Sequence, residues 1–387
     1  MRKLDRHELA GGLGDAGLFI PIAVALVTVN GLDATAVFAV GGLAYIATAL
    51  YFRVPVPVQP LKAFAAAAIA LDLQADVIAA GALLMSAAMA VLGLSGAAGW
   101  LAARFPLVLV RGIQASVALL LAKAAVELAE RGNWAGLPHV PEAIGLVIAV
   151  VSCAALFLLR GSRVPGALLV LGGGVVAGAA VGGLPSVSLG PGDVDLAVPG
   201  GAAFGTALTT LVLAQLPLTF GNSVVATADA ERSYFGAQAR RVQPNRLALS
   251  IGGVNLVAGL TQGLPLCHGA GGVTAHVKLG ARTAVATASA GALYLGLALV
   301  LGESLPAVLQ LLLPGALAGM LLYVAIQHAL LAGTLEHPAE RALAAGVGLV
   351  TLLSGNLAIG FGAGVAALLA RRLLTQAGDW LGEGSRA

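Results

Sequence analysis

Lys62 is a charge in a chain that holds few of them, and it closes a proline-punctuated run, Val54-Pro-Val-Pro-Val-Gln-Pro-Leu-Lys62. A second run of the same grammar spans residues 262–278 (QGLPLCHGAGGVTAHVK), with Pro265 ahead of Cys267, His268 and a glycine cluster. Proline lacks an N–H and pushes the residue before it toward extended backbone. It also suits the first helical turn. Each run therefore reads as a short strand that turns directly into a helix of small residues. A helix start presents backbone N–H groups without partners and a partial positive charge. Two such starts facing one cavity would bind a small anion. The main-chain donors would come from Gln59, Pro60, Leu61, Lys62 and Ala63 on one side. On the other they would come from His268, Gly269, Ala270 and Gly271.

The polar side chains near these breaks leave defined alternatives. A lysine at membrane depth is costly, and a cation at a helix start is locally unfavourable. Lys62 therefore needs an anionic partner, either the ligand or Asp15, and both readings stay open. Arg111 either snorkels to the inner surface or faces the cavity. Gln59, Gln114, Thr219, Asn222, Gln327 and Asn356 are uncharged polar groups suited to ligand contact or to helix–helix bonding. Gln59 and Asn222 adjoin the breaks. His268 either couples proton movement or is hydrogen-bonded at its helix start. Cys153 and Cys267 have no CxxC spacing, so no disulfide framework or metal site is expected. His268-Gly-Ala-Gly-Gly lacks the Gly-Lys-Ser/Thr of a nucleotide loop. No cofactor, no nucleic-acid partner and no enzymatic activity are expected.

The elements that must position these residues are membrane helices. The chain has 387 residues, 59% hydrophobic and 10% charged, where soluble domains carry about 25% charged residues. Its 53 glycines favour close helix packing. A spanning helix needs about 20 mainly apolar residues. Fourteen candidate segments follow: 8–29, 34–52, 59–72, 75–95, 105–128, 142–160 and 164–183, then 202–228, 245–261, 267–279, 283–302, 307–332, 339–353 and 356–373. Segments three and ten span only if the preceding extended run crosses half the bilayer. The break at Ser354–Gly355–Asn356 leaves a twelve-span alternative with one re-entrant hairpin. The N-terminal stretch reads as a retained first helix, because no clean cleavage site follows it. With fourteen spans, most of the 21 basic residues fall on one side, which places both termini in the cytoplasm.

The fold class is thus an all-α polytopic membrane protein with spans three and ten as strand plus half-helix. Residues 1–183 form the first repeat, 184–201 a linker and 202–373 the second repeat. Gly41–Gly42 and Gly252–Gly253 precede the two breaks, and Arg111-Gly-Ile-Gln114 echoes Val324-Ala-Ile-Gln327. Seven is odd, so the second repeat is inverted, and broken helices at matched positions point to a transporter's binding site.

Five stretches carry a family resemblance: Glu8-Leu-Ala-Gly-Gly-Leu-Gly-Asp15 through Pro21; Val56-Pro-Val-Gln-Pro-Leu-Lys62; Arg111-Gly-Ile-Gln114; Leu216-Pro-Leu-Thr-Phe-Gly-Asn222; and Leu264-Pro-Leu-Cys-His-Gly-Ala-Gly-Gly272 with Gly280-Ala-Arg-Thr283. Together they resemble the molybdate transporter family of bacteria and plants, a branch of the sulfate permease superfamily. Leu61 stands where the family pattern has methionine. The resemblance implies a core domain (spans 1–4 and 8–11) moving against a gate domain (spans 5–7 and 12–14), in elevator-like secondary transport. It implies molybdate between the two half-helices, with tungstate or sulfate as related ligands. Gln59, Asn222, Gln114, Lys62 and Arg111 would orient the substrate, and Asp15, Thr219 and Gln327 would serve structure or coupling. It further implies a bacterial cytoplasmic membrane, possible pairing as a homodimer, and no cytoplasmic regulatory domain. A nucleobase permease of the same architecture is disfavoured by Asn222 and by the lack of an acid in span ten.

Overall fold

The computed structural model describes residues 6–13, 16–102, 104, 106–130, 142–159 and 166–383. The first half contains α1 (Arg6–Gly12), α2 (Ala16–Thr28), α3 (Ala34–Phe52), β1 (Gln59–Pro60), α4 (Lys62–Ala70), α5 (Ala75–Leu94), α6 (Ala97–Ala102), α7 (Leu107–Ala129), α8 (Glu142–Leu158) and α9 (Gly166–Gly182). The second half contains α10 (Gly201–Ala207), α11 (Leu213–Leu218), α12 (Thr227–Phe235), α13 (Pro244–Leu260), β2 (Leu266–Cys267), α14 (Ala270–Lys278), α15 (Ala284–Leu301), α16 (Leu305–Gln310), α17 (Pro314–Ala332), α18 (Pro338–Ser354) and α19 (Leu357–Glu383). Five helical stretches among the described residues are long and apolar enough to cross a membrane: Ala34–Phe52, Ala75–Leu94, Leu107–Ala129, Gly201–Arg241 and Ala284–Leu301. Large apolar side chains such as Leu50, Leu94 and Leu158 lie exposed on the outside. A lipid solvent accepts that surface, and water does not. The protein is an integral membrane protein.

Two stretches depart from simple helices. The segment expected at 307–332 begins earlier as α16, breaks, and restarts at Pro314, a residue preset for a helix start. The stretch Gly201–Arg241 contains two π-helical sections, Leu208–Val212 and Thr219–Ala226. Pro217 lies just before the second. Its missing N–H and its ring clash with the preceding turn open the helical ladder there. Single π turns inside α-helices recur at functional sites.

Helix packing falls into two sets. In the first, α3 lies along α15 and α5 along α13. Small residues let these backbones touch. A Cβ at Gly42 would sit 2.5 Å from Leu295 N, and one at Gly291 would sit 2.7 Å from Gly42 O. Phe19 of α2 stacks on Tyr294 of α15 at 4.4 Å, with Phe38 and Tyr45 edge-on around them. In the second set, α7 packs on α17 and α18, and α17 packs on α8. The half-helix α4 lies against α7 and so borders both sets.

The strands join the two halves of the chain. β1 pairs antiparallel with β2, Gln59 opposite Cys267 and Pro60 opposite Leu266. Leu61 N continues the pairing by donating to Pro265 O at 3.0 Å. The chain makes matching turns on either side of each strand. Arg53 after α3 and Gln262 after α13 are left-handed, and so are Asp72 after α4 and Gly280 after α14.

Candidate anion site

α4 and α14 have nine residues each, so each rises only about 13 Å, under half the hydrocarbon core. Their N-caps, Leu61 and Gly269, are extended and make no side-chain capping bond. Ala65 N is the amide that bonds back to Leu61 O, at 2.7 Å. In α14, Gly272 N and Val273 N both bond to Gly269 O. The N–H groups of Lys62, Ala63, Ala270 and Gly271 precede these bonds and are the orphan donors every helix start carries. Every residue from Lys62 to Ile69 is buried.

One further first-turn amide is occupied. Phe64 N donates to Gln215 Oε1 at 2.9 Å, across 151 residues of sequence. Gln215 Nε2 donates to Thr219 Oγ1 at 3.0 Å, and both side chains are fully buried. Thr219 thus steadies the clip that holds α4 to the broken helix. Asn255 plays a comparable part for the other strand, donating to Leu266 O at 2.7 Å and accepting from Leu266 N at 3.1 Å.

The polar side chains expected at the breaks do converge in part. Lys62 Nζ donates to Gln59 Oε1, and both residues are buried. A Cβ at Gly269 would fall 2.2 Å from Gln59 Oε1 and 3.3 Å from Asn222 Nδ2. Gln59, Lys62, Asn222 and Gly269 therefore sit together at the strand–helix junction. Beside Asn222, a Cβ at Gly221 would meet Val110 Cγ2 at 2.9 Å, which places the π-helical section on the start of α7. There Arg111 Nη1 donates to Gln114 Oε1 at 2.8 Å, and Arg111 Nε is buried without a partner. Asp15 lies outside the described residues, so its pairing with Lys62 has no geometry to weigh.

Three other polar residues named from the sequence have defined surroundings. The His268 ring is engaged at both nitrogens, with Nδ1 2.8 Å from Pro57 O and Nε2 3.0 Å from Ser250 Oγ. A carbonyl can only accept, so Nδ1 carries the hydrogen and Nε2 accepts from the serine hydroxyl. The ring fastens the end of β2 to the first proline run and to α13. Asn356 accepts from Ile359 N at 3.3 Å and opens α19. Gln327 Nε2 is buried with no hydrogen-bond partner. Its neighbour His328 is 5% exposed.

Gln215, Asn255, Ser250 and His328 are absent from the residues picked out by sequence. Gln215 had a signal, since Gln215 and Thr219 are one helical turn apart in an apolar stretch. The others needed the tertiary structure. The assembled site offers orphan amides from two helix ends, one buried ammonium and carboxamides from Gln59 and Asn222. That donor set suits a small, multiply charged oxyanion.

A family described as "Molybdate transporter of MFS superfamily" matches residues 7–121 and 207–327, more than half of the chain. Molybdate transporter 2 of Arabidopsis thaliana is 27% identical over 417 residues, covering 95% of this chain and 88% of the relative. Molybdate transporter 1 of the same plant is 30% identical over 405 residues, covering 92% and 86%. Among solved structures, the transmembrane domain of the cyanobacterium bicarbonate transporter BicA superposes with a TM-score of 0.68 at 16% identity, covering 91% of this chain and 96% of that one. The murine anion transporter Solute Carrier 26 family member A9 gives a TM-score of 0.67 at 16% identity, covering 97% and 69%. At that identity the structures speak for fold alone. By the sequence match this chain belongs to the molybdate transporter family, and by its coordinates it has the fold of BicA and the Solute Carrier 26 proteins.

Proposed function

We propose that the protein is a secondary transporter of molybdate, held as a tetrahedral dianion between the starts of α4 and α14. The observation that carries this reading is the pair of nine-residue half-helices meeting across β1 and β2 with Lys62 buried at the junction. The N–H groups of Lys62, Ala63, Ala270 and Gly271 bind the oxygens, and Gln59, Asn222 and Lys62 orient them. Arg111 and Gln114 face the substrate from α7.

Transport is elevator-like in this reading. The first packing set, with α3, α5, α13 and α15 around the half-helices, is the moving core. The second, with α7, α8, α17 and α18, is the gate. An inverted repeat relates span two to span nine and span four to span eleven. Under that exchange the α3–α15 contact becomes the α13–α5 contact, and the α7–α18 contact becomes the α17–α8 contact, so the observed packing supports the repeat. The distribution of lysine and arginine supports two cytoplasmic termini.

Thermal unfolding of the purified protein with molybdate, tungstate and sulfate tests the assignment. A ligand at one hundred times its Kd adds about 2.7 kcal/mol to apparent stability. Molybdate and tungstate should both raise the transition, and sulfate should do little. Stabilisation by sulfate alone would reassign the substrate. A folded sample that ignores all three would remove the anion site.

A further inference from the structure

We propose that the protein binds the headgroup of an anionic phospholipid in a five-arginine patch, where the end of α3, the end of the stretch Gly201–Arg241 and the start of α13 meet. Phe52, Val54, Ala239, Val242 and Leu247 are buried together in one small apolar cluster, apart from the main core. Charged residues alternate with these apolar ones along the chain. Arg53 falls between Phe52 and Val54, Arg240 and Arg241 fall between Ala239 and Val242, and Arg246 precedes Leu247. Arg232 comes from α12, whose Ala228 belongs to the same cluster. One small cluster thus gathers five cations at its rim. Arg53, Arg232 and Arg240 are exposed, and Arg241 and Arg246 are half-buried.

The chain itself does little to balance this charge. The elements of the patch carry two acids, Asp229, which is exposed, and Glu231, which is fully buried. Among the described residues none of the five arginines makes an ion pair. Arg241 Nη1 donates to Tyr51 O at 2.8 Å and ties the turn Gly236–Arg241 to the end of α3. The start of α13 adds to the positive excess. It has no acid in its first turn and no side-chain cap from Gln243. Leu247 N bonds back to Gln243 O at 2.9 Å, so the amides of Asn245 and Arg246 are the orphan donors of this helix start. A cation beside them is unfavourable, and a bound phosphate reverses that balance.

Position selects a lipid over a dissolved phosphate. α3 and Gly201–Arg241 are both long and apolar enough to cross a membrane, and the patch lies at the C-terminal end of each. Leu50 is 71% exposed and Tyr51 47%, so apolar surface continues to within three residues of Arg53. The Arg241 guanidinium stands 5.9 Å from the centre of the Tyr51 ring. Tyrosine at the end of a spanning helix sits at headgroup level, and the arginines share that level. Acyl chains then lie along Leu50 and Tyr51, while the phosphate meets the guanidinium groups. α3 and α13 belong to the first packing set, so a bound headgroup holds that set to the bilayer surface.

Native mass spectrometry of the solubilised protein, titrated with phosphatidylglycerol or phosphatidylcholine, tests this. Wild-type protein should bind its first phosphatidylglycerol far more tightly than its first phosphatidylcholine. Arg53→Gln, Arg240→Gln and Arg246→Gln should each lose about fivefold in phosphatidylglycerol affinity. The triple variant should lose nearly all of the preference, with phosphatidylcholine binding unchanged. These three side chains make no hydrogen bond among the described residues, so thermal unfolding without added lipid should move little. Equal affinity of wild type for the two lipids would overturn the proposal. So would an intact preference in a triple variant that unfolds at the wild-type temperature. Displacement of phosphatidylglycerol by an equal concentration of inorganic phosphate would overturn the lipid assignment in favour of a dissolved anion. The wild-type comparison and the single variants decide the matter even if the triple variant does not fold.

Discussion

Gln59 and Gly269 compete for the same space: the carboxamide oxygen of Gln59 stands 2.2 Å from where a Cβ on residue 269 would be. The glycine is extended rather than left-handed, so it is needed for room and not for backbone conformation. Gly269→Ala should push Gln59 off Lys62 and out of line with Asn222. The expected result is at least a tenfold loss of molybdate affinity by calorimetry, with about 1–3 kcal/mol of lost stability from overpacking.

Lys62→Met tests the single ammonium at the junction. Charge-assisted hydrogen bonds contribute about 1.5–3 kcal/mol each, so molybdate affinity should fall by roughly ten- to more than a hundredfold. The unfolding transition without ligand should move little, because the variant also removes a buried charge. A wild-type affinity in Lys62→Met would exclude contact between this side chain and substrate.

Gln215→Leu should strand the Phe64 amide in a dry interior. An unsatisfied buried donor costs about 1–3 kcal/mol, read as a lower unfolding midpoint. Gln215→Glu keeps an acceptor for Phe64 N but loses the donor to Thr219, and should fall between wild type and Gln215→Leu. Binding should weaken in the same order, since the start of α4 is what the clip holds.

Asp33 caps α3 by accepting from Ala36 N. Burial, with nearby Asp195 adding repulsion, raises its carboxyl above the ordinary 3.8 despite the capping bond. A raised carboxyl binds its proton more tightly folded than unfolded. The associated stability is complete below about 3.8 and is lost as pH rises through the folded value. Asp33→Asn keeps a good cap and loses this titration, so its midpoint relative to wild type should rise from acid to neutral pH. Asp33→Ala should lose about 1 kcal/mol from the missing cap. Thermal scans of the three proteins across pH decide it.

The half-helices were legible because proline and glycine act locally. The run ending at Lys62 dictates strand then helix without reference to anything distant, and α3 occupies the expected residues 34–52. Gln59 and Asn222 were legible by adjacency to the breaks. The role of Gln215 was not, because its partner Phe64 is 151 residues away and only packing brings them together. The same holds for Asn255, which looks like one more polar residue in an apolar helix until β2 is laid beside it. His268 left two readings open, proton coupling or hydrogen bonding at its helix start, and its ring nitrogens are engaged with Pro57 and Ser250 as in the second. The π-helical widening at Thr219–Ala226 also escaped, since Pro217 alone announces a disturbance but not its form.

The pairing of β1 with β2 has a consequence for how the protein is made. Gln59 and Cys267 belong to opposite halves of the chain, so the first strand enters the bilayer long before its partner exists. Until residue 266 is synthesised, the backbone around Gln59 has polar groups that lipid cannot satisfy. A nascent chain stopped before β2 would carry that burden with no native remedy, and it would be a natural substrate for membrane quality control. The two halves are therefore not independent modules that assemble after completion. Each withholds from the other the backbone bonds it needs, and the cradle appears in one step when the second strand arrives.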